Sequence, residues 1–160
     1  MKLLNTFLIV LLLTLLPSFG WSTPLHELME RDGLYYPKFS DVPFTGKVTG
    51  DTQGYLKDGR REGVWVTYYY SGALMFKGNY QNGEREGFYV DYYSTGEIRE
   101  KGNYENGERE GSWVGYFKNG QLSYKGNLKT GDRVGVWFGY LENGELKHKD
   151  IYKDGVKIGD

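Results

Sequence analysis

Gly63, Gly87, Gly111, Gly135 and Gly159 stand 24 residues apart, and the residues between them repeat. The units read GVWVTYYYSGALMFKGNYQNGERE (63–86), GFYVDYYSTGEIREKGNYENGERE (87–110), GSWVGYFKNGQLSYKGNLKTGDRV (111–134) and GVWFGYLENGELKHKDIYKDGVKI (135–158). A fixed period of this length marks one supersecondary unit stacked on copies of itself, each touching mainly its neighbours. That excludes a globular body with a single thick core.

Two turn signals alternate inside each unit. The first is Ser71-Gly72, Thr95-Gly96, Asn119-Gly120 and Asn143-Gly144. The second is Asn82-Gly83, Asn106-Gly107, Thr130-Gly131 and Asp154-Gly155. Such dipeptides favour two-residue hairpin loops, in which both central residues take positive φ. Each unit is therefore expected to be two antiparallel strands, and the whole an all-β, elongated, single-layer meander of about nine to ten strands. Residues 46–62 read as a truncated first unit, with Asp51 to Gly54 as its shortened tip. Both ends of such a sheet are candidate pairing edges, which gives a route to self-association.

Alternation along the strands places Trp65, Tyr89, Trp113 and Trp137 on one face and Tyr68, Tyr92, Tyr116 and Tyr140 on the other. Gly78, Gly102 and Gly126 interrupt the second strands. They point to a bulge, or to a ring lying flat on the backbone. The preceding segment, 23–45, reads as a cap: Leu25, Leu28 and Met29 have the spacing of a short helix over 24–31, which Asp32-Gly33 ends.

The amino terminus has another texture. Lys2 is followed by an apolar run from Leu3 to Leu16, then Pro17 and small residues. This is the pattern of a secretory signal peptide, here assigned to 1–22, with cleavage near Gly20 or Ser22 and a periplasmic or extracellular destination. The run is too short for a spanning helix.

Charge is balanced, with 20 Lys and Arg against 21 Asp and Glu. A nucleic-acid partner is not expected, because it requires a clear positive excess. Strong membrane attachment is not expected either, for want of a basic amphipathic helix. There is no Cys and there are two His, so neither a disulfide nor a zinc set is available. The readings are no catalytic residues, no cofactor and no metal. Glu62, Glu86 and Glu110 each follow an Arg and are expected to form a ladder of cross-strand Glu–Arg pairs. The candidate partner-binding residues are Trp65, Tyr89, Trp113, Trp137, Tyr69 and Tyr93, because rings can anchor a protein's apolar side chains or stack on cell-wall sugars.

The pattern G-x-W-x-x-Y-Y…N-G-x-L…K-G-x-Y…N-G resembles the MORN repeat, in the bacterial form of the YwqK-type antitoxin family. Arg31 to Tyr36 and Pro43 to Val48 are similar to the lead-in of such proteins, so the resemblance spans residues 31–158. It implies a twisted sheet of hairpins, a scaffolding or membrane-associated role, and in the bacterial branch an antitoxin that neutralises a partner protein. The leading expectation is a non-catalytic, exported protein-interaction module at the cell envelope.

Overall fold

In a computed structural model, residues 22–160 are described. The apolar run Leu3 to Leu16 and the Gly20 cleavage point lie outside them. The strands are β1 (Ser22–Pro24), β2 (Leu28–Arg31), β3 (Leu34–Pro37), β4 (Gly46–Thr49), β5 (Thr52–Lys57), β6 (Arg60–Tyr68) and β7 (Leu74–Gln81). They continue as β8 (Glu84–Tyr92), β9 (Ile98–Glu105), β10 (Glu108–Tyr116), β11 (Leu122–Lys129), β12 (Asp132–Tyr140), β13 (Leu146–Lys153) and β14 (Val156–Gly159). Twelve of them form one sheet in the order β1-β4-β5-β6-β7-β8-β9-β10-β11-β12-β13-β14. From β4 onward it is the antiparallel meander that the repeats predict.

The second turn of each unit has the expected geometry. Asn82 and Gly83 take φ of 52° and 93°, Asn106 and Gly107 50° and 81°. The first turn differs. At Ser71-Gly72, Thr95-Gly96, Asn119-Gly120 and Asn143-Gly144 only the glycine has positive φ. The Gly72 N–H donates to Tyr69 O at 2.8 Å and the Tyr69 N–H to Ala73 O at 2.8 Å. This is the three-residue loop class, a tight turn closed by a left-handed residue. It leaves Ser, Thr and Asn free to sit before the glycine without strain.

The glycine that opens each unit is the site of a bulge. Gly111 has φ 67°, and the β9–β10 register shifts between Glu110 and Val114. The slip is by two residues, so the alternation of faces survives it. Gly63, Gly87 and Gly135 repeat the device, with φ of 67°, 74° and 64°.

The cap departs from the helical expectation. Residues 25–27 make one 3-10 turn, and Leu28 continues into β2, paired with β3 as a hairpin around Asp32-Gly33. Asp32 and Gly33 have φ of 51° and 73°, a tight hairpin turn that holds the chain extended on both sides. β1 joins β4 in parallel, a pairing that no sequence signal announced. The hairpin is tied to the first repeat turn: the Tyr35 N–H donates to Gly59 O at 2.9 Å, and the Gly59 N–H to Phe44 O at 2.8 Å.

The truncated unit is also different in detail. Its tip is Gly50-Asp51; Gly54 lies inside β5, in register with the strand glycines of later units. The tell-tale is that Gly54 precedes Gly78 by one full period of 24.

Burial is concentrated on one face. Leu28, Phe44, Val48, Leu56, Trp65 and Tyr80 form one cluster under the cap. Tyr89, Tyr104, Trp113, Leu128 and Trp137 form the second, along the bare part of the sheet. A single layer thus gains a thin core from its own rings.

Candidate functional site

The rings of that face lie on glycines of the preceding strand. A Cβ added to Gly54, Gly102 or Gly126 would fall 2.3, 2.3 and 2.2 Å from Cδ2 of Trp65, Trp113 and Trp137. At Gly78 the nearest atom is Tyr89 Cδ2 at 3.1 Å. Trp113 Nε1 donates to Asn103 O at 3.1 Å and Trp137 Nε1 to Asn127 O at 3.0 Å, so two indoles are pinned to the backbone they cover. Trp65 Nε1 is buried with no protein partner.

An arginine then closes each ring from above. The guanidinium carbons of Arg61, Arg85, Arg109 and Arg133 sit 4.7, 5.1, 4.1 and 4.5 Å from the ring centroids of Trp65, Tyr89, Trp113 and Trp137. Each such contact contributes roughly 0.5–1 kcal/mol when exposed and more when desolvated. The same arginines reach tyrosine hydroxyls: Arg85 Nη1 donates to Tyr104 OH at 2.9 Å and Arg133 Nη1 to Tyr152 OH at 3.1 Å. Arg109 instead forks onto Glu100, at 3.3 and 2.6 Å, and Tyr124 OH donates to the same carboxylate at 2.6 Å. Burial, and then this bond, push the Tyr124 phenol pKa upward.

The sequence-predicted rings are therefore together but covered. Trp65 and Trp113 are fully buried, Trp137 and Tyr89 nearly so. The indole faces of this row are covered, and the row shows solvent a column of guanidinium groups and phenols. Tyr69 and Tyr93 act as staples between units, their hydroxyls donating to Tyr92 O and Tyr116 O at 2.8 Å each.

The Glu–Arg ladder is not formed. Glu62, Glu86 and Glu110 accept hydrogen bonds from the backbone N–H of Asn82, Asn106 and Thr130 at 3.0, 3.0 and 2.8 Å. Adjacent residues of a strand point to opposite faces, which sends each Glu to the next unit's turn and each Arg to the rings. What sequence reasoning missed is the arginine column, although the spacing Arg-x-x-x-Trp was visible in three units.

Asp91 interrupts the face. It is buried, one oxygen accepting from Arg99 and from Tyr89 OH, the other without a protein partner. At the far end Asp150 stands where earlier units have the strand glycine. Lys157 Nζ lies 2.9 Å from it, and this bond lowers the Asp150 pKa. His148 Nε2 is 3.7 Å from the same carboxylate, on a ring lying over Gly139. Among the described residues no group of His, Cys, Asp and Glu is placed to hold a metal ion. Nor is any helix there long and apolar enough to cross a membrane.

The opposite face carries an open depression of about 610 Å³ near its amino-terminal end, lined among others by Lys47, Gln53, Tyr55, Val64 and Val66. Its surface is mainly apolar, with Glu62 also at its wall.

An open single-layer sheet of tandem hairpins defines a repeat protein. The family model described as "MORN repeat variant" matches residues 61–82, 84–106, 109–130 and 133–154, more than half of the chain, and the chain belongs to that family. MORN repeats are in general non-catalytic modules of protein and lipid interaction. No curated protein matches the chain.

Proposed function

We propose that this chain is an exported, non-catalytic scaffold that docks a partner protein at the bacterial cell envelope through its arginine-covered aromatic face. The observation that carries the reading is the column Arg61, Arg85, Arg109 and Arg133 over Trp and Tyr rings. Tyr, Trp and Arg are the residue types that dominate binding energy at protein interfaces. Here they are already held in place, so little side-chain entropy is lost on docking. An antitoxin-like neutraliser would use the same surface on a secreted or envelope-bound toxin. Export rests on the apolar run Leu3 to Leu16 alone.

Tagged protein is incubated with envelope extract at physiological salt, and captured proteins are compared between wild type and the Arg85→Lys, Arg133→Lys double variant. Lysine keeps the charge and loses the planar fork. A specific protein captured by wild type and depleted by the double variant supports docking. Capture of nothing, or equal capture by both, sinks it. Intact mass of the protein recovered from its native compartment tests export: a chain beginning at Trp21 or Thr23 supports it, and a chain retaining Met1 in the cytosol overturns it.

A further inference from the structure

The face opposite the tryptophans carries a second pattern. Residues Val66, Lys77, Val90, Lys101, Val114, Lys125, Phe138 and Lys149 are consecutive cross-strand neighbours from β6 to β13. Lysine thus recurs on every second strand, in a straight row across the sheet. Neighbouring strands lie about 4.8 Å apart, so the ammonium positions repeat at about 9.6 Å. None of the four lysines forms an ion pair among the described residues. Carboxylates of this face stand at the turn edge: Glu62, Glu86 and Glu110 are engaged there by backbone N–H groups, and Glu84, Glu105, Glu108 and Asp132 flank the same turns.

Two of the ammonium groups are positioned by rings of the next unit. Lys101 Nζ lies 5.6 Å from the Tyr116 centroid and Lys125 Nζ 5.2 Å from that of Phe138. Beside the lysine row runs the half-buried row Tyr68, Tyr92, Tyr116 and Tyr140. Charge that recurs on a fixed period, next to ring faces on the same period, suits a linear polymer with a matching period.

We infer that this face binds an acidic linear polysaccharide carrying one carboxylate per disaccharide, with Lys77, Lys101, Lys125 and Lys149 each taking one carboxylate and the tyrosines stacking on the sugars between. Two rings of an extended, equatorially linked glycan advance by about the lysine spacing. A polymer with a charge on every sugar would leave alternate carboxylates unpaired over valine. This site is distinct from the arginine-covered face, so the protein would join a partner on one side to a polysaccharide on the other.

The experiment is calorimetric titration of the full exported chain with a hyaluronan octasaccharide, which has four carboxylates on that period, and with a neutral cello-oligosaccharide. Vesicles of phosphatidylglycerol are a third arm. Wild type is expected to bind the octasaccharide, more weakly as salt rises, and not the neutral glycan. Changing all four lysines to glutamine is expected to weaken binding about thirtyfold, with sheet content unchanged by circular dichroism. Tyr92→Ala is expected to weaken it further than salt alone explains. Three outcomes overturn the proposal: no binding of the octasaccharide by wild type, equal binding by the quadruple variant, or binding of vesicles but not of the glycan. Retained capture of a protein partner by the quadruple variant would show that the two faces fail or succeed separately.

Discussion

Trp113 lies on Gly102 so closely that a Cβ there would stand 2.3 Å from the indole Cδ2. The contact couples two residues 11 apart in sequence, and Gly54 with Trp65 and Gly126 with Trp137 repeat it. The unit is thus defined less by its hairpin than by a ring from one strand filling the missing side chain of the strand before. Gly102→Ala is expected to destabilise by about 1–3 kcal/mol, the usual cost of overpacking. Gly78→Ala is the built-in control, because its nearest neighbour is the Tyr89 ring at 3.1 Å. There the reduced freedom of the unfolded chain offsets part of the strain, and the change should cost under about 1 kcal/mol. Urea midpoints of the two variants decide the matter; equal losses would mean that the stacking is not what fixes glycine at these positions.

The three indoles are not equivalent, since Trp113 and Trp137 donate to backbone carbonyls and Trp65 donates to none. Replacing Trp by Phe removes similar apolar area at each place. Only at Trp113 and Trp137 does it also remove a hydrogen bond to the backbone. Trp113→Phe should therefore cost about 1 kcal/mol more than Trp65→Phe. Chemical denaturation at constant m-value checks the difference, and a Trp65→Phe loss as large as that of Trp113→Phe would contradict it.

The period, the opposite faces of the Trp65 and Tyr68 rows and the second turn could all be read from residue text, because each depends on local spacing and on the φ that Asn-Gly favours. The strand glycines pointed either to a bulge or to rings lying on backbone, and rings lie there. The cap could not be read in the same way. Leu25, Leu28 and Met29 have helical spacing, yet Leu28 is buried against the first repeat while Met29 stays exposed. The docking of Tyr35 on the Gly59 turn outweighs that weak preference. The arginine column escaped for a different reason. A ladder of cross-strand Glu–Arg pairs follows naturally from the text, but a pleated strand sends the adjacent Arg and Glu to opposite faces. Arg then met the rings, and Glu met the next turn.

That division makes the glutamates testable on their own. Glu86 accepts from the Asn106 N–H and Glu110 from the Thr130 N–H, each fastening one unit to the turn of the next. A charge-assisted bond to a backbone donor contributes about 1–2 kcal/mol when partly shielded. Glu86→Ala should lose about 1 kcal/mol, and Glu86→Gln about half of that, since the amide oxygen still accepts. Amide exchange at Asn106 should speed up in both variants without change at Asn82. Unchanged exchange at Asn106 would return the glutamates to the status of solvated surface charges.

At the carboxyl-terminal edge Asp150 takes the place of the strand glycine, and the bond from Lys157 lowers its pKa. A carboxyl group whose folded pKa is depressed stabilises the fold above its unfolded value, and that contribution fades as pH falls through the ordinary carboxylate range toward the folded pKa. Lys157 is shifted the other way, upward, by its bonds to Asp160 and Asp150. Its contribution holds below the ordinary lysine value and is lost only as pH rises beyond it. The pair is therefore intact at neutral pH and fails on the acid side. Asp150→Asn removes the titrating partner, so its stability should fall less than that of wild type between neutral pH and about pH 3. Other carboxylates titrate equally in both proteins, and only the difference reports this edge. Fluorescence-detected urea midpoints at the two pH values provide the measurement. The sheet edge beyond β13 should also fray first: amide exchange in Val156 to Gly159 is expected to accelerate on acidification in wild type and to be fast at both pH values in Asp150→Asn. Parallel acid losses in the two proteins, with no change in exchange along β14, would show that the Asp150–Lys157 contact does not hold the last strand.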